Sequence, residues 1–173
     1  MEDIVIRQAT PADYQRVIEV VDHWWGGRHM ADMLPKLFFV HFRGTSFVAE
    51  RAGEVLGFIV GFVSQTFPDE AYIHFVGIHP EYRSRNLGRA LYERFFASVM
   101  EAGVHTVHSV TAPINKGSIA FHLRMGFHML PGDRVMDGVQ VVEGYDGKGE
   151  DRVLFSMNLA KEGVTGNFFS AGE

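Results

Sequence analysis

Hydrophobic and polar positions change period several times along the chain, and each change marks an element. "DIVIRQA", Asp3–Ala9, alternates and is β-branched, which predicts a strand. Thr10 follows as a helix cap, with Pro11 and Asp13 in the first turn of "PADYQRVIEVVDHWW". Tyr14, Val17, Ile18 and Val21 recur there at helical spacing, and Gly26-Gly27 ends the run. "MADMLPKLFFVHF" reads as a second, shorter helix with Pro35 at a kink or junction. Two apolar, β-branched runs, "TSFVAER" and "VLGFIVGFVSQ", flank Ala52-Gly53-Glu54, a hairpin signal. "AYIHFVGI", Ala71–Ile78, is a further strand. Strict alternation sends Tyr72, His74 and Val76 to one face and Ile73, Phe75 and Gly77 to the other.

Helical spacing returns from Leu87 to about Ala102, where Leu87, Ala90, Leu91, Phe95 and Val99 form an apolar stripe. "VHTVHSVTA" predicts a strand, and the next helix runs from about Asn115 to Met125, closed by Gly126. "FHML" and "DRVLFSMNL" are the last two strands. Between them, "PGDRVMDGVQVVEGYDGKGE" is glycine-rich and charged, a long excursion holding a small hairpin. Residues 1–160 are expected to form one domain, and 161–173 a flexible tail. Hairpin strands followed by crossover helices predict a mixed α/β sheet with helices on both faces.

Composition narrows the function classes. The 16 Lys and Arg against 21 Asp and Glu leave a net charge of −5, which weighs against a nucleic-acid partner. Cysteine is absent, so disulfides, thiolate metal sites and a cysteine nucleophile are excluded. No apolar run approaches ~20 residues, and the N-terminus lacks the pattern of a secretory signal. The expectation is a cytoplasmic protein with no membrane partner. The histidines show no H-E-x-x-H or carboxylate cluster, so no metal is expected.

The stretch "HPEYRSRNLGRALYERFF" concentrates Arg83, Arg85 and Arg89 where a loop enters a helix. The first amides of a helix lack intrahelical partners, and the macrodipole there is positive. Asn86 and Gly88 let backbone N–H groups approach a ligand closely, so the segment suits a phosphate or pyrophosphate. A solvated basic face on an amphipathic helix is the competing reading, but it does not explain why the arginines cluster before the helix. Neither a G-x-x-x-x-G-K-[ST] phosphate loop nor a G-x-G-x-x-G fingerprint is present.

"VGIHPEYRSRNLGRAL" resembles the acyl-CoA-binding segment of GNAT superfamily N-acetyltransferases, whose loop reads [QR]-x-x-G-x-[GA]. Arg83 opens that pattern, Asn86 replaces its first glycine, and Gly88 is its second. "NKGSIAFHLRMGF" matches a second motif of the superfamily through Asn115, Ser118, Phe121, Gly126 and Phe127, with His122 where tyrosine is common. The resemblance implies a mostly antiparallel central sheet of about seven strands flanked by about four helices. It implies acetyl-CoA as acyl-donor co-substrate and direct transfer, in a ternary complex, to an amine of a small molecule or peptide. It would place Val76, Ile78, Arg83, Ser84, Arg85, Asn86, Leu87, Gly88, Arg89, Ala90, Asn115 and Ser118 against CoA. By the same resemblance His122 would protonate the departing thiolate.

Asn115, Ser118 and His122 also share one helical stripe by spacing, which equally allows a helix cap and a structural histidine. His74 resembles the base that serves the arylalkylamine branch, with Tyr72 and Glu70 as competing choices. Trp24 and Trp25 either cap the core or border the acceptor. The resemblance leaves a homodimer open. A catalytically idle module of the same fold, binding CoA or a metabolite, is the alternative reading. Thiol release from acetyl-CoA separates the two.

Overall fold

In the computed structural model, residues 3–160 are described, so the expected tail lies outside the described residues. The chain divides into two compact units, Met1–Gly103 and Val104–Glu173. The first is framed by strands β1 (Val5–Gln8), β2 (Ser46–Arg51), β3 (Glu54–Val63) and β4 (Glu70–Ile78), paired antiparallel in that order. It carries helices α1 (Asp13–Trp24), α2 (Leu37–Val40) and α3 (Leu87–Glu101). The second holds β5 (Thr106–Thr111), α4 (Lys116–Met125), β6 (His128–Met129), the hairpin β7 (Arg134–Met136) and β8 (Val139–Val141), and β9 (Val153–Asn158). There β9 lies between β5 and β6, antiparallel to both. The described residues thus supply seven sheet strands, mostly antiparallel, and four α-helices, the mixed α/β class expected.

Two faces of β3 are built differently. Phe58 points to the α1 side, where Trp24 stacks on it with ring centroids 6.2 Å apart. Gly57 and Gly61 point to the α3 side, where a side chain has no room. A Cβ on Gly61 would stand 2.5 Å from the Tyr72 carbonyl oxygen and 2.6 Å from the Phe95 ring. Both glycines thus let α3 lie close to the sheet, and Leu91, Phe95 and Val99 are fully buried there.

The start of α1 is wired differently from the sequence reading. Thr10 does not cap with its hydroxyl oxygen: its N–H and O–H both donate to Asp13, at 2.8 and 3.0 Å. Asp13, 1% exposed, also receives Arg7 from β1 and Arg16 from α1, and both arginines bind Glu50 of β2. Burial pushes the Asp13 carboxyl up, but the Arg7 fork and the two Thr10 donors outweigh it and hold it well below the usual carboxylate range.

The helix expected over "MADMLPKLFFVHF" is divided. A 3-10 turn, Ala31–Met33, comes first, and α2 begins only after Pro35, which has no N–H to carry a continuous ladder. The strict alternation expected in β4 also fails. Val60 pairs with Phe75 but Gly61 pairs with Ile73, so His74 is an extra residue in a bulge. Tyr72, His74 and Phe75 consequently meet rings on the α1–α2 side, while Val76 and Ile78 pair with Ile59 and Gly57.

The small hairpin expected in the excursion is β7–β8, turned by Asp137 and Gly138 at φ 51° and 79°. Two adjacent positive φ values are what a two-residue turn needs, and Asp-Gly tolerates them. Arg134 and Arg152 tie this segment to Glu143, Asp146, Glu150 and Asp151.

Candidate active site

In the first unit, β4 leads into a 3-10 turn, Pro80–Tyr82, capped by the His79 ring nitrogen, which accepts from the Glu81 amide at 3.2 Å. Ser84 and Asn86 then adopt left-handed backbone, at φ 63° and 62°. Asparagine enters that region more readily than other side-chain-bearing residues, which lets it stand where a glycine is usual. Asn86 makes no side-chain cap bond, and the first helical bond runs from the Ala90 amide to the Asn86 carbonyl. The Leu87, Gly88 and Arg89 amides precede the α3 ladder and face forward with the positive end of a 15-residue helix.

The three arginines of this loop have separate tasks. Arg83 donates to the carbonyls of Ile78 and Trp24, at 3.2 and 2.5 Å, and its guanidinium lies over the Trp25 ring at 5.9 Å. Its side chain thus ties the loop to the end of α1. Arg89 pairs with Glu93 at 3.7 Å on the exposed helix surface. Arg85 is exposed and lies over Tyr82, whose hydroxyl accepts from Arg51 of β2. Arg51 was not legible in the sequence, because only strand pairing brings the end of β2 to this loop.

His74 stands on the opposite side of β4 from Val76 and Ile78. Its ring stacks on Phe38 of α2, with centroids 4.7 Å apart and planes 16° apart, and Nε2 lies 2.7 Å from the Met33 carbonyl oxygen. Tyr72 stacks on Phe62 at 5.6 Å, and Trp25 tilts over Phe75 at 5.3 Å. Phe38 is thus the ring packed on the histidine, and Phe62 with Tyr72 continues the aromatic packing beyond it. Trp24 is 3% exposed and packs in the core, the first of the two roles the sequence left open to it.

In the second unit, Asn115 caps α4, accepting from the Ser118 amide at 3.1 Å, and Gly126 closes the helix at φ 100°. His122, 4% exposed, stacks on Phe155 at 4.6 Å with ring planes 9° apart and meets Phe127 edge-on. Its Nδ1 lies 2.8 Å from the Ser118 carbonyl oxygen, which can only accept, so Nδ1 carries the proton. Burial lowers the His122 pKa, against a smaller upward pull from that hydrogen bond. Burial thus favours the neutral ring over the charged one.

Among the described residues, no group of three His, Asp or Glu side chains is arranged to hold a metal ion, and no helix is long and apolar enough to cross a membrane.

Residues 9–127 match the acetyltransferase (GNAT) family. An L-2,4-diaminobutyric acid acetyltransferase from Nocardia farcinica is 34% identical over 79 residues, which is 46% of this chain and 41% of that protein. The match thus spans about two-fifths of that relative's length. A diaminobutyrate acetyltransferase from Paenibacillus lautus, solved with L-2,4-diaminobutyric acid and coenzyme A, is similar in structure with a TM-score of 0.66 and 21% identity. That likeness covers 91% of this chain and 96% of the other. A GNAT-family protein from Desulfovibrio desulfuricans is similar with a TM-score of 0.74 and 19% identity, over 91% of this chain and 99% of that one.

Proposed function

Because this chain belongs to the acetyltransferase (GNAT) family, we propose that it transfers an acyl group, normally acetyl, from acyl-CoA to the primary amine of a small molecule. The observation that carries the donor reading is the uncapped start of α3 behind two left-handed residues, with the exposed Arg85 beside it. Amides free of intrahelical partners, a positive dipole end and a nearby cation suit a diphosphate. The Leu87, Gly88 and Arg89 amides would hold it, Arg85 would add charge, and Val76 and Ile78 would lie along the donor. In the second unit, Asn115 and Ser118 are the proposed polar contacts to the pantetheine arm.

The donor supplies an electrophilic thioester carbonyl and a thiolate that departs as the C–S bond breaks. The amine must first lose its proton, and the exposed His74 beside Tyr72 is the proposed base. The freed amine nitrogen forms the N–C bond. Its remaining surplus proton passes to solvent, which can also protonate the released thiolate. A free thiol titrates near 8.5, so departure unprotonated at pH 7 costs only about 2 kcal/mol. A neutral His122 is therefore compatible with turnover. Its proposed role is to pack α4 against β9.

The aromatic packing beside His74 favours an amine on a compact carbon skeleton, and the diaminobutyrate acetyltransferases place short diamines first in the panel to try. The cytoplasm, where acyl-CoA is available, is the proposed location. Thiol release from acetyl-CoA is measured with diaminobutyrate, polyamines, arylalkylamines and peptide amines. Amine-dependent release supports the proposal. Tight CoA binding with no release for any amine would favour the idle module instead.

A further inference from the structure

Asp22 sits in the last turns of α1 and does something no neighbouring carboxylate does. Its Oδ1 accepts from the amides of both Met30 and Ala31, each at 2.7 Å. Those two residues open the 3-10 turn, closed by bonds from Met33 to the Met30 carbonyl and from Leu34 to the Ala31 carbonyl, each 3.0 Å. Leu34, 1% exposed, pins the end of the turn into the core. The carbonyl of Met33 is thereby aimed at β4, where it meets His74 Nε2 at 2.7 Å.

A carbonyl oxygen has no proton to give, so Nε2 must carry the hydrogen. A neutral imidazole has only one N–H, which makes Nδ1 the basic nitrogen. Phe38, stacked on the ring, blocks rotation out of this plane. Among the described residues Nδ1 has no hydrogen-bond partner.

We infer that Asp22 is a positioning residue: through the Met30 and Ala31 amides it sets the Met33 carbonyl that locks His74 in its Nε2–H tautomer and presents Nδ1 for the acceptor's proton. The inference rests on the reading of His74 as the base. The same loop, turned by Gly26 and Gly27 at φ 68° and 85°, thus couples the end of α1 to the β4 bulge. His29, 3.8 Å from the other Asp22 oxygen, is exposed and does not enter the chain of contacts.

The test is nitrogen-15 NMR of the imidazole rings in the full chain, combined with steady-state kinetics, for the wild type, Asp22→Ala and Asp22→Asn. Asparagine keeps the oxygen that accepts both amides, so it should retain the Nε2–H tautomer and most of kcat. Asp22→Ala should give a mixture of tautomers and lower kcat about tenfold or more, a part of the 10²–10⁴ that a positioned base contributes, with KM for acetyl-CoA little changed. If Asp22→Ala does not fold, Asp22→Glu, which displaces the oxygen by one methylene, takes its place. A wild-type His74 carrying its proton on Nδ1, or an Nε2–H tautomer unmoved by Asp22→Ala or Asp22→Glu, would overturn the lock. His74→Gln separates the two layers: undiminished kcat there removes the base reading, while the tautomer measurements still decide the lock.

Discussion

The imidazole of His122, shut between Phe155, Phe127 and the turn of its own helix, has a consequence for acid stability. Its pKa is lowered in the folded chain, chiefly by burial, while an unfolded histidine titrates near 6.5. Between the two values the unfolded state binds more protons, so stability is full above about 6.5 and falls as pH drops toward the folded value. His122→Phe should flatten that slope in melting temperatures taken from pH 7.5 down to 5. It should also keep kcat within about threefold, since a leaving thiolate with a pKa near 8.5 needs little help. A kcat loss of 10² or more, with the protein folded, would restore the acid role. Ser46 offers a second test at this scale. Its hydroxyl is fully buried with no hydrogen-bond partner among the described residues, so Ser46→Ala should raise stability by about 0.5–1 kcal/mol in urea unfolding.

Elements are held in place by features that act across strands and helices. Asp13 joins α1 to β1 and β2 through Arg7, Arg16 and Glu50, and Asp13→Asn takes from both arginines their buried carboxylate partner, leaving them only Glu50. Breaking a buried pair costs about 3–5 kcal/mol, but Arg7 and Arg16 are 32% and 34% exposed, so solvent screening brings the expected loss nearer 2. Because the folded carboxyl lies below its unfolded value, its contribution is present above about pH 4 and is lost as pH falls further. Denaturant midpoints for Asp13→Asn and wild type should therefore converge on acidification. The α3–β3 contact is tested by Gly61→Ala, whose added methyl meets a backbone oxygen that cannot swing aside. A loss of about 1–3 kcal/mol is expected, as for other overpacked cores, and an unchanged midpoint would mean that β3 shifts freely away from β4.

For the whole molecule, donor binding and stability are linked. At 100 times its Kd, a ligand specific for the folded chain adds about 2.7 kcal/mol, so CoA should raise the melting temperature by several degrees. Gly88→Val places a branched side chain in the first turn of α3, where a diphosphate would approach the amides, and should abolish that rise while the ligand-free protein still melts cooperatively. A full CoA shift in folded Gly88→Val would move the donor site away from this loop. Arg83→Ala should act otherwise. Losing the ties to Ile78 and Trp24, it should lower the melting temperature even without CoA.

Much of this molecule could be read before any coordinates. Local periodicity identified the strands, α1, α3 and α4 to within a few residues, because each has one face that must leave water. Gly126 and Asn86 marked a helix end and a left-handed entry to α3, since few residues tolerate those backbone angles. Loop spacing and the α4 motif pointed to the family. What local patterns could not contain were contacts between residues far apart in the chain. The bulge at His74 follows from how β4 must register on β3, and it reversed the facing of half a strand. Burial of His122 against Phe155 and of Trp24 on Phe58 depends on partners far along the chain, and that of Asp13 depends on Arg7 of β1. Those partners decide charge states and hydrogen-bond directions. A motif names the residue type, but only the folded surroundings decide which nitrogen of an imidazole holds the proton and whether a tryptophan meets substrate or core.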